Sequence, residues 1–273
     1  MAFREEVLDM IDLSPLDQPA VLNFIFYPRM DFSDPPRNAF DLSIPVDPQV
    51  AISCRLYLGD STWPWILYFH GNGEVVSDYD GTAPFYHQIK VNLVVADYRG
   101  YGASGGVPTL SDLVRDSHVL WSAVVDELSN RRFRRDVWVM GRSLGSISAL
   151  ELAYHFRDRV KGLIIESGAS SVVRVFRHLG IPAHGVDLEK IDLECQKMVK
   201  KISVPALILH GERDTLIPLE EGKHVYNSLG SEKKELVIIP SATHNDIMFV
   251  GLRKYFEAIQ RFVESTSNIS ESG

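Results

Sequence analysis

Two cysteines, Cys54 and Cys195, are all that the 273 residues contain. A disulfide framework and a cysteine-based metal site are thereby excluded, and a reducing compartment fits. No apolar run approaches the ~20 residues needed to cross a bilayer. The start, Met1-Ala2-Phe3-Arg4-Glu5-Glu6, lacks the basic-then-apolar pattern of a secretory signal. These absences lead us to expect a cytoplasmic protein without an integral membrane segment. Positive charge is short as well: 28 Lys and Arg stand against 36 Asp and Glu, a net charge of -8. A nucleic-acid partner needs the opposite balance, so none is expected. Arg131, Arg132, Arg134 and Arg135 cluster in a polar stretch between an expected helix and strand, which reads as a solvated loop.

Other chemistries lack their signatures. No His-Glu-x-x-His and no Gly-x-x-x-x-Gly-Lys-Ser/Thr occurs, so zinc hydrolysis and P-loop chemistry have no support. Gly100-Tyr101-Gly102-Ala103-Ser104-Gly105 matches the dinucleotide fingerprint. However, Val107-Pro108 separates it from the following helix, and Asp126 and Glu127 fall inside a helix instead of at a strand end. The reading is therefore of no metal and no cofactor. Internal repeats and low-complexity segments are absent.

What is present is 45% apolar and 23% charged, the balance of a soluble globular chain long enough for one large α/β domain or two small ones. Residues 1–38 form an arm of little pattern, with a short helix expected over Phe3 to Ile11 and a strand or irregular run over Val21 to Tyr27. Phe40 to Val46 and Val50 to Leu58 read as a hairpin turning at Asp47-Pro48. Further strands are expected over Trp65 to Phe69, Leu93 to Ala96, Val137 to Met140, Val160 to Ile165, Ala206 to Leu209 and Leu236 to Ile239. Helices are expected over Asp80 to Lys90, Thr109 to Leu128, Ser146 to Arg157, Glu220 to Leu229 and Val250 to Val263. The tail from Ser265 is polar and is expected to fray. This alternation predicts a mostly parallel sheet covered on both faces, with ligands at the carboxyl ends of its strands. His70-Gly71-Asn72, Asp97, Ser143, Glu166, Asp214 and His244 all fall at that edge.

The organising stretch is Val137 to Ser146, where an apolar strand runs into Gly141-Arg142-Ser143-Leu144-Gly145 and then a helix. This is a nucleophile elbow, a serine on a tight strand-to-helix turn. Alone the pentapeptide is a weak signal, and its surroundings must carry it. A serine needs a base, and that base needs an orienting acid. His244, on the small polar loop Pro240 to Asp246, is the best base of nine histidines. His118, His155 and His224 sit in expected helices and read as ordinary surface or half-buried residues, while His70 and His210 read as loop-stabilising. Asp214 is the leading acid and Glu166 its competitor. The amides of Leu144 and Asn72 are the candidate oxyanion donors.

Taken in order, His70-Gly71-Asn72-Gly73, Asp97 to Ser104, Gly141 to Gly145, His210 to Asp214 and His244-Asn245-Asp246 resemble the α/β-hydrolase superfamily over about residues 40–264. The forms Asp-Tyr-Arg-Gly-Tyr-Gly and His-Asn-Asp resemble the branch of small single-domain esterases and protein depalmitoylases. The resemblance implies Ser143 as nucleophile, Asp214 as acid and His244 as base, in an eight-stranded α/β-hydrolase fold with a small lid. Two departures stand out: residues 1–38 show no cysteine cluster or apolar anchor of the kind eukaryotic depalmitoylases carry at the N-terminus, so none is expected, and Arg142 precedes the nucleophile, where it is expected to bear on substrate preference. The expected activity is metal-independent hydrolysis of small acyl esters or thioesters by a monomer or weak oligomer. An amide or peptide hydrolase of the same fold, or a silent binding protein, are the rivals. Residues 39–264 are the expected domain. About 170–203 is a cap or lid insertion in which Phe176 and Leu179 line an acyl pocket, with Arg174, Arg177 or His178 near its mouth. Residues 265–273 are the tail.

Overall fold

The computed structural model describes residues 10–267. The helix expected from Phe3 falls mainly outside them. Eight strands form one sheet: β1 (Ala39–Asp47), β2 (Val50–Tyr57), β3 (Trp65–Phe69), β4 (Asn92–Ala96), β5 (Val137–Arg142), β6 (Leu163–Glu166), β7 (Ala206–Gly211) and β8 (Lys234–Ile239). Their spatial order is β1-β2-β4-β3-β5-β6-β7-β8, antiparallel for the first two pairings and parallel for the rest. This is an α/β-hydrolase sheet.

The central strands are buried at every position, and mostly apolar, because both faces are covered. In β3, Trp65, Leu67 and Phe69 pack into one core and Ile66 and Tyr68 into the other. In β5, Val137 and Val139 face the first core while Trp138 and Met140 face the second, following the period of two. The first core is roofed by α3 (Leu110–Asn130), α4 (Ser146–His155), α6 (Leu188–Lys201) and α7 (Leu219–Ser228). The second is roofed by α2 (Ala83–Gln88) and α9 (Leu252–Ser267). Pro45 sits in β1, the sheet's edge, where a missing amide donor is tolerated. No helix among the described residues is long and apolar enough to cross a membrane.

Several expected elements differ. Val21 to Tyr27 is not a strand: Pro19–Ile25 forms α1, with Pro19 at its first turn, where a missing N–H costs nothing. The helix expected over Asp80 to Lys90 is shorter, α2 running only from Ala83 to Gln88, and a separate 3-10 turn (Val76–Tyr79) precedes it. The strand expected from Val160 begins only at Leu163. The last helix, α9, begins at Leu252 and runs on to Ser267, and a single turn, α8 (Ile247–Val250), precedes it across Gly251. Of the tail expected to fray from Ser265, residues 265–267 continue α9, where Trp138 Nε1 donates to buried Thr266 Oγ1 at 2.9 Å and ties the last turn to β5; residues 268–273 lie outside the described residues. Within 170–203 there are two helices. α5 (Val172–Leu179) lies over the carboxyl edge of the sheet, and α6 packs Ile191, Cys195 and Val199 into the first core.

Candidate active site

β5 ends in the elbow. Ser143 takes a φ of +52°, in the left-handed region that side-chain-bearing residues avoid. The turn closes this tightly only because its flanks are glycine. A Cβ on Gly141 would lie 2.3 Å from the Gly145 carbonyl oxygen, and one on Gly145 would lie 2.1 Å from that of Phe69. Ser146 Oγ donates to the Ser143 carbonyl at 2.6 Å and holds the turn against α4.

His244 and Asp214 arrive from the loops after β8 and β7. His244 Nε2 is 3.1 Å from Ser143 Oγ, and His244 Nδ1 is 2.7 Å from Asp214 Oδ2. An ionised carboxylate only accepts, so Nδ1 carries the proton and Nε2 is left to receive the serine hydroxyl. Burial pushes the Asp214 carboxyl up, but the hydrogen bond and charge of His244 and the Ile217 amide outweigh it and hold Asp214 below the ordinary carboxylate range. Its other oxygen accepts from the amides of Leu216 and Ile217 at 3.0 and 2.8 Å. His210 sits beside it, 3.6 Å from Oδ2; burial drives its pKa down, and Nε2 donates to the Ile217 carbonyl at 2.8 Å. Thus His210 braces the acid's loop.

Glu166, the competitor for the acid, is turned elsewhere. It accepts from Tyr68, Tyr255 and Arg142 at 3.0, 2.6 and 3.1 Å. Arg142 itself is 8% exposed, with its guanidinium in this polar network and not among the residues lining the cavity beside Ser143.

The loop after β3 carries Asn72. Its side chain is committed to the N-terminal arm: Oδ1 accepts from the Tyr27 amide at 3.0 Å and from Tyr101 Oη at 2.7 Å, and Nδ2 donates to the Ile25 carbonyl. That leaves the main-chain amide as the group with which Asn72 would meet a substrate. The segment Asp97 to Gly102 braces the same loop. Asp97 Oδ1 is 3.2 Å from His70 Nε2, and Tyr98 Oη donates to the His70 carbonyl at 2.5 Å.

A cavity of about 360 Å³ opens beside Ser143. Phe176 and Leu179 line it, together with Val172 and Val175 from α5. Arg174, Arg177 and His178 do not: they are held by Glu221, by Glu189 and Asp192, and by the Thr215 carbonyl. The sequence reading missed the opposite wall, which is the arm itself: Phe24, Ile25 and Tyr27. Asp17 seats the arm by accepting from the Leu110 amide at 2.8 Å, capping α3 from outside. The signal was Val21 to Tyr27, apolar residues beside a helix-opening proline.

Away from this edge, one group among the described residues has metal-ligand spacing. His118, Glu151 and His155 lie between α3 and α4, their ligand atoms within 4.8 Å of one another. His118 is buried, and both imidazoles bond Glu151 Oε1, at 3.0 and 2.9 Å, so they are not the ordinary helix residues expected. Burial pushes the Glu151 carboxyl up, and the two histidines bring it down further, leaving it lowered. The group is a hydrogen-bonded cluster between the two helices, gathered on Glu151 Oε1, with Glu151 Oε2 and His118 Nδ1 lacking a hydrogen-bond partner among the described residues.

Comparison with known proteins follows this geometry. The family model described as serine aminopeptidase, S33, matches residues 63–184 and 182–248. The chain belongs to this family of α/β-hydrolases. Its sequence is 29% identical to Protein bem46 of Schizosaccharomyces pombe over 73% of the chain and 67% of that protein. It is also 29% identical to human alpha/beta hydrolase domain-containing protein 17B, over 72% and 65%. The match thus spans about two thirds of these relatives' own length. Among solved structures, an esterase of Pyrococcus furiosus superposes with a TM-score of 0.71 at 18% identity, covering 88% of this chain and 99% of the other. Est1E of Butyrivibrio proteoclasticus gives 0.67 at 21%, covering 83% and 98%. At those identities the likeness is one of fold.

Proposed function

We propose that this α/β-hydrolase cleaves carboxylic esters or thioesters through a serine acyl-enzyme. The observation that carries the reading is the unbroken chain Ser143 Oγ, His244 Nε2, His244 Nδ1, Asp214 Oδ2, with steps of 3.1 and 2.7 Å. Ser143 Oγ attacks the acyl carbon while His244 takes its proton, and Asp214 steadies the imidazolium. The oxyanion is held by the Leu144 amide, at the head of the helical turn, and by the Asn72 amide. His244 then returns the proton to the leaving oxygen or sulfur. Water, deprotonated by the same imidazole, releases the acid. No step needs a metal, so EDTA leaves turnover unchanged.

The cavity favours an acyl substrate over an aminopeptidase's. A free α-ammonium group calls for a carboxylate partner, and none lines the cavity, whose walls are mainly aliphatic and aromatic. Amide cleavage by the same triad is the second reading, supported by the family's description. A panel of p-nitrophenyl esters, acyl thioesters and aminoacyl amides tests both. Turnover of the first two and not the third is expected; turnover of the amides alone would overturn the ester reading.

A further inference from the structure

We infer that Arg142 is a positioning residue that locks the elbow, the oxyanion loop and the histidine loop into one geometry. This rests on the site reading above. Arg142 precedes the nucleophile in β5, and its guanidinium reaches three other segments. Nη2 donates to the His244 carbonyl at 2.9 Å and to Asn245 Oδ1 at 3.1 Å. Nη1 donates to Glu74 Oε1 at 2.5 Å, and Nε to Glu166 Oε1 at 3.1 Å. Glu74 passes the link on, since its Oε2 accepts from the Gly71 amide at 2.7 Å, one residue before Asn72. Tyr79 Oη donates to that same oxygen at 2.8 Å.

Two features make this more than a buried ion pair. The guanidinium is tied to main-chain atoms of both loops that face Ser143: the carbonyl of the histidine itself and, through Glu74, the amide beside Asn72. It also lies hard against the oxyanion loop, since a Cβ on Gly71 would sit 2.3 Å from Nη1. A planar fork with five donors can span four acceptors in this way; an ammonium cannot. Misplacing a reacting group by about 1 Å costs on the order of 10²-fold in rate. The role therefore predicts a loss in kcat, not in KM.

The test uses the full chain with two readouts. One is the kcat and KM for a p-nitrophenyl ester. The other is the downfield proton resonance of His244 Nδ1–H, which reports the bond to Asp214 whether or not the ester is a substrate. Folded Arg142→Gln should lose on the order of 10²-fold in kcat at little-changed KM and shift or lose the resonance. Arg142→Lys should restore only part of the rate, and guanidinium ion should rescue Arg142→Ala. Glu74→Gln, at a partly exposed position, covers the case in which the arginine variants do not fold; it should lower kcat about tenfold. A folded Arg142→Gln, or failing that Glu74→Gln, with near-wild-type kcat and an unmoved resonance would overturn the proposal. Loss of the resonance in Arg142→Gln, alongside a wild-type protein inert to esters, would uphold the positioning role and sink the assigned reaction instead.

Discussion

At the scale of the residue, three side chains from three loops meet in the order that proton transfer needs, and each was legible because each closes a strand at one edge of the sheet. Ser143→Ala should lower turnover by about 10⁴–10⁶ without loss of fold; steady-state assays on the folded variant check this. Asp214→Asn should cost around 10⁴ by releasing the imidazole tautomer, whereas Glu166→Gln, which reaches the serine only indirectly through Arg142, should cost on the order of 10²-fold or less. The opposite ranking would move the acid to Glu166. Asp214 also leaves a mark on stability. Its folded pKa is lowered, so its contribution is complete above the unfolded value of about 3.9 and is lost as pH falls through the folded one. Thermal unfolding followed from pH 6 downward should therefore show a steeper acid loss in the wild type than in Asp214→Asn. Arg142 was not legible in this way. Its partners, Glu74, Glu166 and Asn245, come from three stretches whose convergence only the assembled sheet creates.

At the scale of the element, α5 and α1 form the two walls of the cavity. α5 announced itself by its apolar spacing within the longest connection of the domain, and Phe176 and Leu179 do line the cavity. α1 did not. The run Val21 to Tyr27, rich in β-branched and aromatic side chains, read equally well as a strand, and contacts far along the chain hold the segment instead: Asp17 on the Leu110 amide and Asn72 on the Ile25 carbonyl. If these walls grip the acyl chain, Leu179→Ala and Phe24→Ala should each change the ratio of kcat/KM between long and short esters by roughly 1–3 kcal/mol of discrimination. Phe176→Ala should do the same but should also cost stability, about 3–5 kcal/mol, because that ring is 1% exposed within the main core. A graded p-nitrophenyl ester panel with parallel melting curves separates the two effects. Unchanged ratios in all three variants would mean that α1 and α5 merely cover the sheet.

At the scale of the whole molecule, alternating strands and helices made the parallel sheet legible, since a run such as Trp65 to Phe69 must be buried on both faces. The strand order was not, because no local pattern says that β4 inserts between β2 and β3. That insertion sets the Asp97 loop against His70 and so steadies the Asn72 loop. The fold thus brings Ser143, hydrogen-bonded through His244 to Asp214, together with Asn72 and Leu144 to the side of one mostly apolar cavity. The most direct test of that account is covalent labelling of the intact protein by a fluorophosphonate probe, with the adduct located by peptide mass spectrometry. The account predicts one adduct, on Ser143, absent from Ser143→Ala and much slowed in His244→Ala. A protein that stays unlabelled, or that carries the probe on another serine, would contradict it.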